Sequence, residues 1–159
     1  MKGFCSKVSR RLRALARPRS LPDALLYFHI LLFVAVTPLL LRLNLRRLHS
    51  LLTLLETGGS GRVPSTEELH KITSYVDSAF TAGFPLVRRS CLQRGLTLYH
   101  FLRMHGLDVR LCFGVGSRRE EFAAHCWLVK DGEPFLEKKD PRPVFKEIYR
   151  MHGGAARAD

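Results

Sequence analysis

From Ser65 onward, hydrophobic residues recur at helical spacing: Leu69, Ile72, Val76 and Phe80 in "TEELHKITSYVDSAFTAG", then Leu92, Leu96, Tyr99 and Leu102 in "SCLQRGLTLYHFLRMHG". A spacing of three to four residues predicts two amphipathic helices. Ser65 is placed to cap the first, with Glu68 completing a capping box, and Gly83 with Pro85 ends it. Ser90 caps the second and Gly106 stops it. The period then falls to two. Val109, Leu111, Phe113 and Val115 alternate with Arg110 and Cys112 as in a half-buried strand, "GSRREE" reads as a loop, and "EFAAHCWLVKDGEPFLE" reads as a hairpin turning at Asp131-Gly132. A two-residue turn there pairs 130 with 133, 128 with 135 and 126 with 137.

Upstream the pattern is different. Residues 24–41, "ALLYFHILLFVAVTPLLL", are almost continuously apolar, broken only by His29, Thr37 and Pro38, and they follow a basic stretch, "KGFCSKVSRRLRALARPR". Arg42, Arg46 and Arg47 come directly after, so positive charge flanks the run on both sides and gives no topological bias. Two very apolar helices are expected, one ending before Pro38 and one over "LLLRLNLRRLHSLLTLLE", either packed on the domain or touching a membrane. "TGGSGRVPS" is a linker. Helices followed by an antiparallel meander, with no βαβ repeat, give an α+β fold class.

Composition narrows the partners. A chain of 159 residues that is 46% hydrophobic suits one domain with a sizeable core. Its net charge of +12 is concentrated at one end: residues 1–50 hold ten Lys/Arg and one acid, Asp23, whereas the remainder holds sixteen against thirteen. An acidic partner or a membrane surface would meet the N-terminal end; nucleic acid is not expected, because aromatic residues are not interleaved with the cations and no recognition motif is present. The cysteines at 5, 91, 112 and 126 form no Cys-x-x-Cys pair. Neither a structural metal site nor a disulfide scaffold follows, and the thiols are read as reduced in a cytoplasmic setting.

Among these thiols, Cys91 has a mechanism attached to its position. At the start of a helix it faces unpaired N–H groups and the positive end of the helix dipole, and Arg88 and Arg89 add to that field, all favouring thiolate. A buried, inert thiol is the competing reading. His125 supplies a base. On a strand His125 and Trp127 share one face and Cys126 and Leu128 the other, so a thiolate against the first face meets the imidazole, with the indole shielding it. A Cys–His pair also needs a polar group to orient the ring. Glu137 falls within a residue of His125, closer than Glu133, and Asp140 in "KKDPRP" is the alternative. The other histidines (His29, His49, His70, His100, His105, His152) read as structural or solvated.

"CLQRGLTLYHFLRMHGLDVRLCFGV" followed by "FAAHCWLVKDGEPFLE" resembles the transglutaminase-like cysteine protease of lasso-peptide biosynthesis, which removes the leader from a ribosomally made precursor. The resemblance covers about residues 84–150 and rests on Cys-Leu-x-Arg at 91–94, the helix stop at Gly106, and Phe-Ala-Ala-His-x-Trp at 122–127 with the Asp-Gly turn. It implies a papain/transglutaminase-like fold, with a catalytic core over 61–152 preceded by a basic segment (1–20) and an apolar helical region with linker (21–60), and followed by a flexible tail (153–159). It further implies Cys91 as nucleophile, His125 as general base and acid, an acidic orienter, Glu137 or Asp140, and Trp127 against the substrate, with no cofactor. Three positions depart from the family: Glu137 where Asp is common, Cys126 where a small residue is usual, and Val129 where an acid is frequent. The implied partners are the precursor leader, a separate winged-helix recognition protein, since nothing in residues 1–60 reads as one, and an asparagine-synthetase-like cyclase. The same triad could serve an acyltransferase, and a membrane-associated binding protein with a vestigial triad is the reading from another class.

Overall fold

The computed structural model describes residue 18 and residues 20–55, 64–81, 90–118 and 121–152. The basic stretch through Arg17, most of the linker, Gly83, Pro85, Arg88, Arg89 and the tail 153–159 lie outside the described residues.

Four helices come first: α1 (Leu21–Leu40), α2 (Leu45–Leu55), α3 (Thr66–Thr81) and α4 (Cys91–Met104). Ser20 caps α1, its hydroxyl accepting from the Asp23 N–H at 3.3 Å. The expected break before Pro38 does not occur: the helix runs through Pro38 and turns at 41–44. A proline this near the helix end removes one bond, to the Val34 carbonyl, and Leu41 N–H still reaches the Thr37 carbonyl at 2.9 Å. Asn44 restarts the chain as a helix, its side-chain oxygen accepting from Arg47 N–H at 2.9 Å. In α3 the capping box forms reciprocally, Ser65 N–H to Glu68 at 2.7 Å and Glu68 N–H to the Ser65 hydroxyl at 3.2 Å. The end of α4 is a Schellman motif: Gly106 has φ of 82°, its N–H bonds Arg103 O at 2.9 Å, and Leu107 N–H bonds Leu102 O at 2.9 Å.

Four antiparallel strands follow, β1 (Arg110–Arg118), β2 (Glu121–Lys130), β3 (Glu133–Phe135) and β4 (Phe145–Met151), in spatial order β3-β2-β1-β4. The first three make the expected meander, while β4 returns to the far edge of β1. The expected loop "GSRREE" is mostly strand, because β1 and β2 stay paired out to Arg118 with Glu121. Asp131 and Gly132, with φ of 52° and 84°, form the two-residue turn, and the pairing sets 130 opposite 133 and 128 opposite 135. No third pair forms at 126 and 137: β3 ends at Phe135, and Leu136 adopts φ of 60°.

The main core lies between the helices and one sheet face, joining Ile30, Val34, Leu48, Leu52, Val76 and Leu98 to Leu111, Cys126 and Leu128. Full burial of a leucine such as Leu48 or Leu52 contributes roughly 1.5–3 kcal/mol. On the opposite face Cys112, Trp127 and Val129 cluster with Phe145. Strand β1 is therefore covered on both sides at Leu111 and Cys112, and is not half-buried as its alternation suggested.

Candidate active site

Cys91 is the first residue of α4. Ser90, extended at φ −106° and ψ 136°, accepts the Leu92 N–H on its hydroxyl at 3.2 Å, and its carbonyl takes the Arg94 N–H at 3.1 Å. The Cys91 N–H belongs to the helix turn whose donors have no intrahelical acceptor. The Cys91 side chain is exposed. One turn on, Gly95 brings α4 close to the sheet: a Cβ there would lie 3.0 Å from the Cys126 sulfur and 3.2 Å from Leu111.

The helix therefore rests on the Cys126–Leu128 face, which corrects two sequence expectations. Cys91 does not approach from the His125–Trp127 face, and Cys126 does not point away from it. Cys126, through its thiol and backbone N–H, and His125, through its ring, both favour the charged form of the Cys91 thiol. Both residues lie at the edge of β2. With β3 ended opposite Leu128, nothing in the ladder covers that edge at residues 125–127, and Cys91, His125, Cys126 and Trp127 line one cavity.

These contacts set the charge state. Hydrogen bonds from the Cys126 thiol and then from His125 outweigh burial and bring the Cys91 thiol down from an ordinary 9.0 to about 4. His125, held by Cys91 and Glu137, is raised from 6.5 to about 9. At neutral pH the pair is thiolate and imidazolium. The Cys126 thiol, beside that thiolate and buried, is pushed far up and stays protonated as a donor. Cys112, on the other face, is raised to about 11 by burial.

Of the two candidate orienting acids, Glu137 is the one near the ring, its Oε2 3.4 Å from His125 Nε2. The left-handed turn at Leu136 brings it there. Nδ1 is then the nitrogen left for sulfur. Asp140 is engaged elsewhere, with Arg142 at 2.7–3.0 Å, and Glu133 meets the same guanidinium at 2.7 Å. The imidazole lies over Trp127 (centroids 6.1 Å apart, planes at 18°) and beside Phe145 (5.2 Å). Trp127 is 2% exposed, packed with Cys112, Val129 and Phe145 as well as against this ring. Gly114, paired with His125 across the ladder, makes room for the indole, since a Cβ there would lie 2.7 Å from it.

An open cavity of about 890 Å³ spreads from Cys91 and His125 over Phe135, Leu136, Lys138 and Lys139, and a smaller one lies on the other side of Cys91 against Phe80 and Thr81. Asp77 and Arg94, paired at 2.6 Å, border both. Sequence reasoning missed Arg94–Asp77, Phe145, Gly95 and Gly114 as parts of the site. Gly95, facing Cys126 and Leu111 of the sheet, and Gly114, facing the Trp127 indole, are the legible hint. Among the described residues no group of three or more His, Cys, Asp or Glu could hold a metal ion.

An ion pair at a helix N-terminus, opening on a cleft with approaches from two sides, can attack an acyl carbon and protonate its leaving group. Neither comparison with curated proteins nor comparison with solved structures gives a match. The sequence pattern of the transglutaminase-like superfamily, a grouping that commonly includes cysteine proteases and acyltransferases, matches residues 33–150, from the middle of α1 to the end of β4. With more than half of its length matched and an α+β fold that agrees, the chain belongs to the transglutaminase-like superfamily.

Proposed function

We propose that the protein is a cysteine endopeptidase that cuts the leader from a ribosomally made peptide precursor of the lasso type. The observation that carries the enzymatic part is that Cys91, at the N-terminus of α4, and His125 line one cleft, with the Glu137 carboxylate 3.4 Å from the imidazole. The lasso assignment rests on the likeness of residues 84–150 to that family.

In this mechanism the Cys91 thiolate adds to the scissile carbonyl, and the oxyanion so formed meets the Cys91 N–H at the start of α4. His125 Nδ1–H gives its proton to the departing amine as the C–N bond breaks, leaving a thioester. The neutral imidazole next takes a proton from water, hydroxide adds to the thioester carbon, and the sulfur leaves as thiolate with the imidazolium restored. Glu137 keeps the ring oriented and favours its charged form. Trp127 and Phe145 hold it from the sides.

A separate winged-helix protein would deliver the leader, and an asparagine-synthetase-like cyclase would consume the freed core peptide in the cytoplasm. Reconstituted cleavage of a precursor by the wild type, lost in Cys91→Ala, is the expected result; cleavage undiminished in Cys91→Ala overturns the proposal. Mass analysis with added primary amine separates the alternative acyltransferase: an amide product in place of the free acid would assign aminolysis. A protein whose Cys91 shows no selective alkylation at neutral pH would be the binding protein with a vestigial triad.

A further inference from the structure

Helix α1 has two faces of unlike fate. Ile30, Phe33, Val34 and Thr37 are buried against α3 and α4. Leu21, Leu25, Phe28, Leu32, Val36 and Leu39, spaced four, three, four, four and three apart, form a second stripe that is 39–75% exposed. At 1.5 Å per residue this stripe is about 27 Å long. Between Asp23 and Arg42 the helix carries no charge, and Asp23 is held by Lys71 at 2.8 Å. Single exposed leucines are ordinary on soluble proteins, but a continuous stripe of six large apolar side chains is not.

Charge says what covers it. Arg42, Arg46 and Arg47 follow the stripe, all exposed, and none makes an ion pair among the described residues. Seven Lys/Arg and no acid precede it in residues 1–20. An apolar strip with cations at both ends matches a bilayer whose hydrocarbon lies beneath anionic headgroups. Self-association through the same stripe would bring the cations of two copies together.

We propose that the exposed face of α1 docks on the surface of an anionic phospholipid bilayer, with the helix lying in the plane of the interface. The helix is long and apolar enough to cross a membrane, yet crossing would tear Ile30, Phe33 and Val34 from the core and break the Asp23–Lys71 pair and the Tyr27–Ser78 hydrogen bond of 3.3 Å. Docking sideways keeps all of them. It is independent of the reaction at Cys91.

The test is co-sedimentation of the full chain with vesicles of phosphatidylcholine mixed with phosphatidylglycerol, and with phosphatidylcholine alone. Binding is expected to the mixed vesicles, to fall as salt is raised, and to be removed by alkaline carbonate. Phe28→Glu combined with Leu32→Glu should abolish it while circular dichroism and the Cys91 alkylation rate stay as in the wild type. Arg42→Gln, Arg46→Gln and Arg47→Gln should each weaken it roughly fivefold. Absence of binding to anionic vesicles, equal binding to neutral ones, or binding that survives the double substitution would overturn docking. Carbonate-resistant association would overturn the in-plane arrangement. A lipid-free dimer that the double substitution splits would assign the stripe to a second copy.

Discussion

The charge state of Cys91 makes a quantitative prediction about how fast it reacts with a neutral alkylating agent such as iodoacetamide. With its pKa lowered from 9.0 to about 4, Cys91 is almost fully thiolate at pH 5.5. An ordinary thiol of pKa 9.0 is thiolate only about once in 3,000 there. Lower basicity also lowers intrinsic nucleophilicity, by about two to two and a half powers of ten for a Brønsted slope of 0.4–0.5. What survives is an advantage of roughly ten- to thirtyfold over the same cysteine in the unfolded chain.

The measurement is the rate of carbamidomethylation at Cys91, read by peptide mass spectrometry from pH 3 upward, native against urea-unfolded. The native rate should be flat from about pH 5 to about pH 9 and fall tenfold for each pH unit below about 4. Cys112 and Cys126, buried and raised, should stay unmodified. Cys126→Ala and His125→Ala should each move the inflection up, the second further, since a charged donor bonds more strongly than a neutral thiol. Cleavage should part from alkylation on the alkaline side. Above about pH 9, where His125 loses its proton, the thiolate persists but the leaving amine has no acid to take. A wild-type inflection above pH 7, or one that neither substitution moves, would refute the reading of the site as an ion pair.

Three further outcomes follow from particular contacts. Gly114→Ala should cost about 1–3 kcal/mol in chemical denaturation by overpacking Trp127, and should slow Cys91 alkylation by shifting the imidazole stacked on that indole; unchanged stability would mean the indole has room to move. Glu137→Gln should bring the His125 titration down in an NMR titration and slow cleavage, whereas Asp140→Asn, whose carboxylate is engaged with Arg142, should leave both near wild type; the reverse pattern would make Asp140 the orienting acid. Burial holds His100 at about 4 against 6.5 unfolded, so the unfolded chain binds the extra proton and stability drops as pH falls from 6.5 to about 4, by roughly 3 kcal/mol. His100→Phe keeps a ring against Phe33 (4.3 Å), and thermal melts at pH 7 and pH 4.5 should show this part of the acid loss gone; an equal loss in the variant would show that His100 is not its source.

The parts of the site that were legible are those that local chemistry determines. Ser90 before Cys91 and Asp131-Gly132 between two apolar runs each specify a cap or a turn within four residues, and both form where the sequence puts them. The apolar period of α3 likewise names its buried face, whereas α4, read as amphipathic, is buried all round from Gly95 to Leu102, Thr97 and His100 included. Pro38 misled because proline's tendency to end a helix is not absolute: α1 gives up the bond to the Val34 carbonyl and runs on to Leu40. Cys112 misled because alternation reports the burial of one face and is blind to a second cluster, built from Trp127, Val129 and Phe145, on the other.

The placement of Cys126 required long-range information. Alternation along β2 correctly separates His125 and Trp127 from Cys126 and Leu128, but it cannot say which face the helix takes or where the adjacent strand stops. Had β3 continued past Phe135, its backbone would have covered the β2 edge and left Cys91 a choice of faces. Because Leu136 turns the chain away, the edge at residues 125–127 stays open, and Cys126 and His125 both act on the Cys91 thiol. The same turn aims Glu137 at the far side of the ring. The truncation of one short strand thus lets Cys91, Cys126, His125 and Glu137 gather at one cleft, and a substitution that lengthened β3 at Leu136 would separate them while leaving every one of those residues in the chain.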